Sequence, residues 1–291
     1  MRPLRIFAAL FLLVFAASHA LATEPVPPRF TVTVVGSGPD VILIPGLASS
    51  AAVWDATAER LKARHRVHLV QVAGFAGAPA AGNDHGLVVA PLAEALADYI
   101  ARNRLEAPAL IGHSLGGEAA LMLAARHPEA VGRVMTVDSL PFYSLLFNPA
   151  ATVDSVRLQA DAMRAALLAQ TEEQAAAGAE ASIARLVRTE SARAAPIAWS
   201  RSSDRSVVAR AIHELVTTDL RPELGRIRAP LTVLYAYDPL YGVPAEAIDG
   251  IFRSAYANAP GATLRRIDGS FHFIMLDQPE AFAAAVDRFL Q

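Results

Sequence analysis

The 291-residue chain contains no cysteine. That absence excludes disulfides, a thiolate nucleophile, cysteine-ligated metals and lipid attachment through an N-terminal cysteine. An excess of either charge is also missing: 26 Lys and Arg stand against 28 Asp and Glu, a formal net charge of −2. No basic stripe points to nucleic acid, and no acidic tail points to a solvating arm. Long apolar runs are scarce. One opens the chain, from Ile6 to Ala17, and it is too short to cross roughly 30 Å of hydrocarbon comfortably. Arg2 and Arg5 precede it, and Ala20-Leu21-Ala22 follows as a small-x-small site. This layout predicts a cleaved export signal over residues 1–22 and a mature start near Thr23. The expected location is therefore periplasmic or secreted, with no stable membrane span after cleavage.

The remaining length suits one large α/β domain carrying an insertion. Phe30 to Val35 and the wholly apolar Val41 to Ile44 are expected strands, as is Arg66 to Val72. Helical patterns follow over Ala51 to Arg64 and Leu87 to Arg102. Another strand–helix alternation runs from Ala107 to Val137. From Pro141 to about Pro222 only helical patterns occur. Alternation resumes with strands at Leu231 to Ala236 and Thr263 to Ile267, then a terminal helix from Glu280 to Leu290. Repeated strand–helix units predict a mostly parallel, doubly wound sheet. The expected organisation is a core over 23–140 and 223–291, with a helical cap over 141–222. Such a cap lies over the carboxyl ends of the strands, where open α/β sheets bind ligands.

The strongest chemical signal is Gly112-His113-Ser114-Leu115-Gly116, a G-x-S-x-G motif between a short apolar strand and an Ala/Leu-rich helix. A serine on such a turn is a nucleophile elbow. The flanking glycines let other backbone approach closely. The Leu115 N–H then heads a helix, where backbone donors face an incoming anion. A serine hydroxyl needs a base, and the base needs an orienting acid. Asp238 follows one predicted strand and His272 follows another. Asp138 also ends a strand and is the rival acid. A second backbone donor is expected in the turn Ile44-Pro45-Gly46-Leu47-Ala48-Ser49, from the Leu47 N–H.

On Pro45-Gly46-Leu47 with Trp54, the elbow through Gly117, Asp238 and His272, the chain resembles the α/β-hydrolase superfamily, in its capped esterase/lipase-like branch. The resemblance runs from about residue 30 to the C-terminus. It implies Ser114 as nucleophile, His272 as base, Asp238 as acid, and Leu47 and Leu115 as oxyanion donors. It also implies ester cleavage through an acyl-enzyme, with no cofactor and no metal. The expected substrate is a small-molecule ester with an apolar acyl group. Cleavage of C–C bonds, lactones or amides, acyl transfer, and ligand binding with little turnover are the alternatives on the same scaffold. The chain departs from many relatives in three places. Pro45-Gly46 replaces a His-Gly pair, Gln71 to Gly77 replaces an Asp-x-x-Gly-x-Gly-x-Ser stretch, and Phe271 precedes the histidine.

Other residues suit plainer roles. His113 reads as a packed histidine with one satisfied nitrogen, and His213 as structural on an amphipathic helix. Asp84-His85 has no partner cluster for a metal and reads as surface loop. Asp268 and Asp277 suit turn and cap positions, and Trp54 suits packing behind the oxyanion turn. Phe142, Tyr143, Phe147, Met163 and Trp199 serve either as cap-to-core packing or as walls of an acyl pocket.

Overall fold

A computed structural model describes residues 27–259 and 261–291. The expected export signal over 1–22 and the start at Thr23 lie outside the described residues. Among the described residues, seven strands form one sheet in the order β1-β3-β2-β4-β5-β6-β7. They are β1 (Phe30–Gly36), β2 (Asp40–Ile44), β3 (Arg66–Val72), β4 (Ala109–His113), β5 (Arg133–Val137), β6 (Leu231–Tyr237) and β7 (Thr263–Asp268). β1 runs antiparallel to β3, and every other pairing is parallel. The core helices are α1 (Asp55–Leu61), α2 (Val89–Arg102) and α3 (Leu115–Arg126). Between β5 and β6 the chain forms α4 (Val153–Leu168), α5 (Glu172–Leu186), α6 (Ala194–Ser202) and α7 (Arg205–Thr217). Three helices close it: α8 (Ala245–Ala255), α9 (Ile274–Asp277) and α10 (Pro279–Leu290). The expected α/β-hydrolase architecture is the one observed.

Both faces of the sheet are covered, and strand alternation decides which side chain serves which face. Ile42, Ile44, Val70, Val72 and Leu110 join one apolar cluster with α2 and α3. Val41, Leu43, Val67, Leu69 and Ile111 join the other, with α1 and α10. Full burial of such aliphatic side chains contributes about 1.5–3 kcal/mol each, so the central strands anchor the loops at their ends.

The helical segment is tied to the core by an unusual cap. α2 begins with Val88-Val89-Ala90 and has no side-chain cap of its own. Glu214 of α7 supplies it instead. Its carboxylate accepts from the N–H groups of Val88 (2.6 Å), Val89 (2.8 Å) and Ala90 (2.7 Å). These are orphan donors of a helix start, and a carboxylate also suits the positive end of the helix dipole. α4 packs along α7, and α5 along α6. None of the described helices is long and apolar enough to cross a membrane.

Candidate active site

Ser114 sits between β4 and α3 with φ 53° and ψ −122°. A non-glycine residue in that region is strained and persists only when its surroundings impose it. The glycines explain how. A Cβ on Gly112 would lie 2.2 Å from the Gly116 carbonyl oxygen, and one on Gly116 would lie 2.4 Å from that of Ile44. Strand β2, strand β4 and helix α3 therefore meet backbone to backbone beneath the serine. Leu115 is the first residue of α3, where first-turn N–H groups lack intrahelical acceptors.

The turn after β2 packs against the same point. A Cβ on Gly46 would lie 2.8 Å from His113 Nδ1 and 3.1 Å from Ser114 Cβ. Ala48 follows with φ 52°, and the Ser49 N–H donates back to the Gly46 carbonyl at 3.3 Å. Leu47 is thereby held at the edge of the cavity that contains Ser114 and His272.

The structure corrects the expected partner of His272. Its Nδ1–H donates to Asp138 Oδ2 at 2.6 Å. Asp138 has φ 46°, a conformation aspartate tolerates better than most residues. Its other oxygen accepts from the Ala236 N–H at 2.9 Å. Asp238 is turned elsewhere. Its Oδ1 caps Leu240 N at 2.9 Å, and its Oδ2 pairs with Arg188 Nε at 2.7 Å. The two aspartates also sit at different levels of the sheet. Val137 lies opposite Leu234, so Asp138 is level with Tyr235. Asp238 is three residues further along, about 10 Å at the usual strand rise.

The histidine loop is held from below and from the side. His113 is fully buried, and its Nε2–H donates to the His272 carbonyl oxygen at 3.1 Å. Its Nδ1 has no partner, as one satisfied nitrogen predicts. Burial, and then the charge of the nearby His272, drive its pKa well below the ordinary histidine value, so it stays neutral. Trp54 packs edge-on to His113 and stacks on Phe282. Asp277 does more than cap a turn. Its carboxylate accepts from the N–H groups of Phe271, Arg188 and Thr189, which joins the His272 loop to the end of α5.

Two further groups lie close to the serine: Tyr143, expected from the sequence only as packing or pocket wall, and Glu118, which carried no signal there. The Tyr143 hydroxyl donates toward Ser114 Oγ at 3.4 Å. Glu118, one turn along α3, is fully buried and both its carboxyl oxygens lack partners. Burial, reinforced by Glu214, pushes its pKa well above the ordinary glutamate value.

Ser114, His113, His272 and Leu47 open onto a cavity of about 970 Å³ under the helical segment. Its lining mixes small and aliphatic side chains, among them Ala48, Ala175, Ala179, Ile183 and Val208, with the charged Arg201, Arg205 and Glu172. Of the five bulky side chains considered for this pocket, Tyr143 reaches the serine and the other four lie elsewhere. Phe142 is buried in the core, Trp199 packs against the other core cluster, and Phe147 and Met163 are exposed. Asp84 and His85 pair on the surface, His213 bonds Asp161 at 3.1 Å, and exposed Asp268 pairs with Arg266. No cluster of three or more metal-ligating side chains occurs among the described residues.

Comparison with known proteins agrees with this architecture. A pimeloyl-[acyl-carrier protein] methyl ester esterase of Vibrio cholerae is 28% identical over 258 residues, 88% of this chain and 96% of that protein. The same kind of esterase from Aeromonas hydrophila is 38% identical over 109 residues, so the match spans 41% of that relative and 37% of this chain. A solved hydrolase of Pseudomonas aeruginosa superposes with a TM-score of 0.73 at 22% identity, covering 90% of this chain and 94% of its own. An enol-lactonase of Burkholderia xenovorans gives 0.72 at 19%, covering 90% and 96%. These two share the fold. Residues 39–196 match the family described as alpha/beta hydrolase fold, and the chain belongs to that family.

Proposed function

We propose that this protein is a serine-dependent carboxylic ester hydrolase acting through an acyl-enzyme on Ser114. The observation that carries the proposal is one cavity holding both the strained elbow serine and a histidine fixed by Asp138. Asp138 holds the proton on His272 Nδ1 and leaves Nε2 with a lone pair. His272 then takes the Ser114 proton as Oγ attacks the ester carbonyl. The Leu47 and Leu115 N–H groups receive the developing oxyanion. His272 returns the proton to the departing alcohol, and water repeats the sequence to free the acid. Asp138 takes the role first expected of Asp238. The chemistry draws on no metal or cofactor. Methyl ester esterases among the relatives support the ester as the bond cleaved. The aliphatic part of the cavity lining supports an apolar acyl group.

A panel of p-nitrophenyl esters of increasing acyl length tests this. Wild type should turn them over, and Ser114→Ala should lose several orders of magnitude while melting as wild type does. Undiminished turnover in Ser114→Ala contradicts the proposal. Export follows from the residue pattern at 1–22, and belongs to the same proposal. N-terminal sequencing of protein recovered outside the cytoplasm should begin near Thr23. Retention in membranes with Met1 intact contradicts it.

A further inference from the structure

We propose that Tyr143 is a further catalytic residue, whose phenol O–H stabilises the Ser114 oxygen as that oxygen leaves the acyl carbon during deacylation. The inference rests on Ser114 being the nucleophile.

Tyr143 begins a short turn of 3-10 helix, Tyr143–Leu146, five residues past Asp138. Its hydroxyl lies 3.4 Å from Ser114 Oγ and 3.3 Å from Ser139 Oγ. The Ser139 hydroxyl spends its own proton on the Ser114 carbonyl oxygen at 2.9 Å. It therefore faces Tyr143 only as an acceptor. The Ser139 carbonyl is held in turn by the Tyr256 hydroxyl at 2.7 Å. Tyr143 thus has one O–H and two acceptors, both beyond the usual O–H···O separation of about 2.7–2.8 Å. It is a donor only weakly committed in the resting protein and within reach of the reacting atom. Burial raises its phenol pKa far above the ordinary value, so it stays a proton donor wherever His272 works as a base.

The two half-reactions use that donor differently. In acylation Ser114 Oγ loses its proton to His272 and becomes an ester oxygen. There the resting hydroxyl already accepts from Tyr143, so the hydrogen bond gains less than in deacylation, which starts from a poorly accepting ester oxygen. In deacylation water adds to the acyl carbon and gives its proton to His272. The C–Oγ bond then breaks, its electron pair stays on Oγ, and His272 returns the proton there. Negative charge grows on Oγ during that step, within reach of the Tyr143 O–H. Tyr143 keeps its own proton throughout. A donor placed where charge develops acts on the transition state more than on the ground state.

For an acyl-enzyme, kcat/KM reports acylation, whereas deacylation limits kcat with a good leaving group. Tyr143→Phe removes only the O–H. With p-nitrophenyl acetate it should lower kcat about 10-fold to 100-fold, the scale of one hydrogen bond to a charged oxygen. KM should fall in parallel, leaving kcat/KM within about threefold of wild type. Rapid mixing should show a burst near one p-nitrophenolate per enzyme, and quenched samples should carry acetylated Ser114 by mass spectrometry. Equal losses in kcat and kcat/KM without a burst, or unchanged kinetics, overturn the proposal. If Tyr143→Phe does not fold, 3-fluorotyrosine at position 143 replaces it. This stronger donor of nearly the same shape should raise kcat and leave kcat/KM unmoved. An unmoved kcat overturns the proposal. Turnover persisting in Ser114→Ala would remove the underlying nucleophile assignment. A missing burst with Ser114 still acylated removes only the role of Tyr143.

Discussion

Asp138→Asn isolates the contact that organises the site. Each oxygen of Asp138 has one donor: Ala236 N–H at 2.9 Å and His272 Nδ1–H at 2.6 Å. Asparagine offers one oxygen and one NH₂. The Ala236 N–H belongs to a strand and cannot change its character, so it claims the amide oxygen. The NH₂ then faces His272 Nδ1, which must become an acceptor. The ring proton moves to Nε2, and an Nε2–H cannot take the proton of Ser114. The variant also loses the charge that stabilises the imidazolium. By analogy with other triads the two effects lower kcat about 10⁴-fold, about 5.5 kcal/mol of activation free energy. The assay is kcat on a p-nitrophenyl ester, with circular dichroism and thermal melting to equalise the folded fraction. Asp238→Asn is the control. Asparagine still caps Leu240, and only the charge opposite the half-exposed Arg188 is lost, so kcat should stay within about threefold. An Asp138→Asn enzyme retaining a tenth of wild-type kcat, or a dead Asp238→Asn, refutes the reasoning.

Two further perturbations reach the scaffold. Gly46→Ala places a Cβ 2.8 Å from His113 Nδ1 and 3.1 Å from Ser114 Cβ. The turn must shift and carry the Leu47 N–H with it. That should cost about 10² in kcat with little change in KM, and kcat within twofold of wild type contradicts it. Glu118→Gln tests the buried acid. Glu118 keeps its proton in the fold, whereas the unfolded chain releases it above about pH 4.5. The unfolded state thus binds fewer protons as pH rises, and wild type loses up to about 1.4 kcal/mol per pH unit toward the raised folded value. Glutamine has no such loss, so melting curves should favour the variant progressively from pH 5 to pH 8. A constant difference across that range contradicts the assignment.

The central strands were legible because they are short, mostly apolar runs bounded by turns and buried on both faces. The elbow was legible because Gly112, Ser114 and Gly116 must satisfy a three-way backbone contact that leaves a local motif. The acid was not. Asp138 and Asp238 each end a strand, and only the folded chain shows which carboxylate meets His272. That contact joins residues 134 apart, and so long a separation leaves no trace in the residues around either one. The same holds for the cap of α2. Val88-Val89-Ala90 carries no local cap signal, because the acceptor is Glu214, 126 residues from Val88. Tyr143 and Ala179 likewise reach the site through long-range packing. Of the bulky side chains expected at its walls, only Tyr143 meets the serine. Small residues on helices α5 and α7 leave room for the cavity.

The most direct measurement of the central claim is covalent labelling with a fluorophosphonate, followed by intact mass and peptide mapping. The account predicts one adduct per chain, at Ser114 alone, with ester turnover lost in proportion to labelling. Turnover that survives complete labelling of Ser114, or a label that falls on another residue, contradicts it.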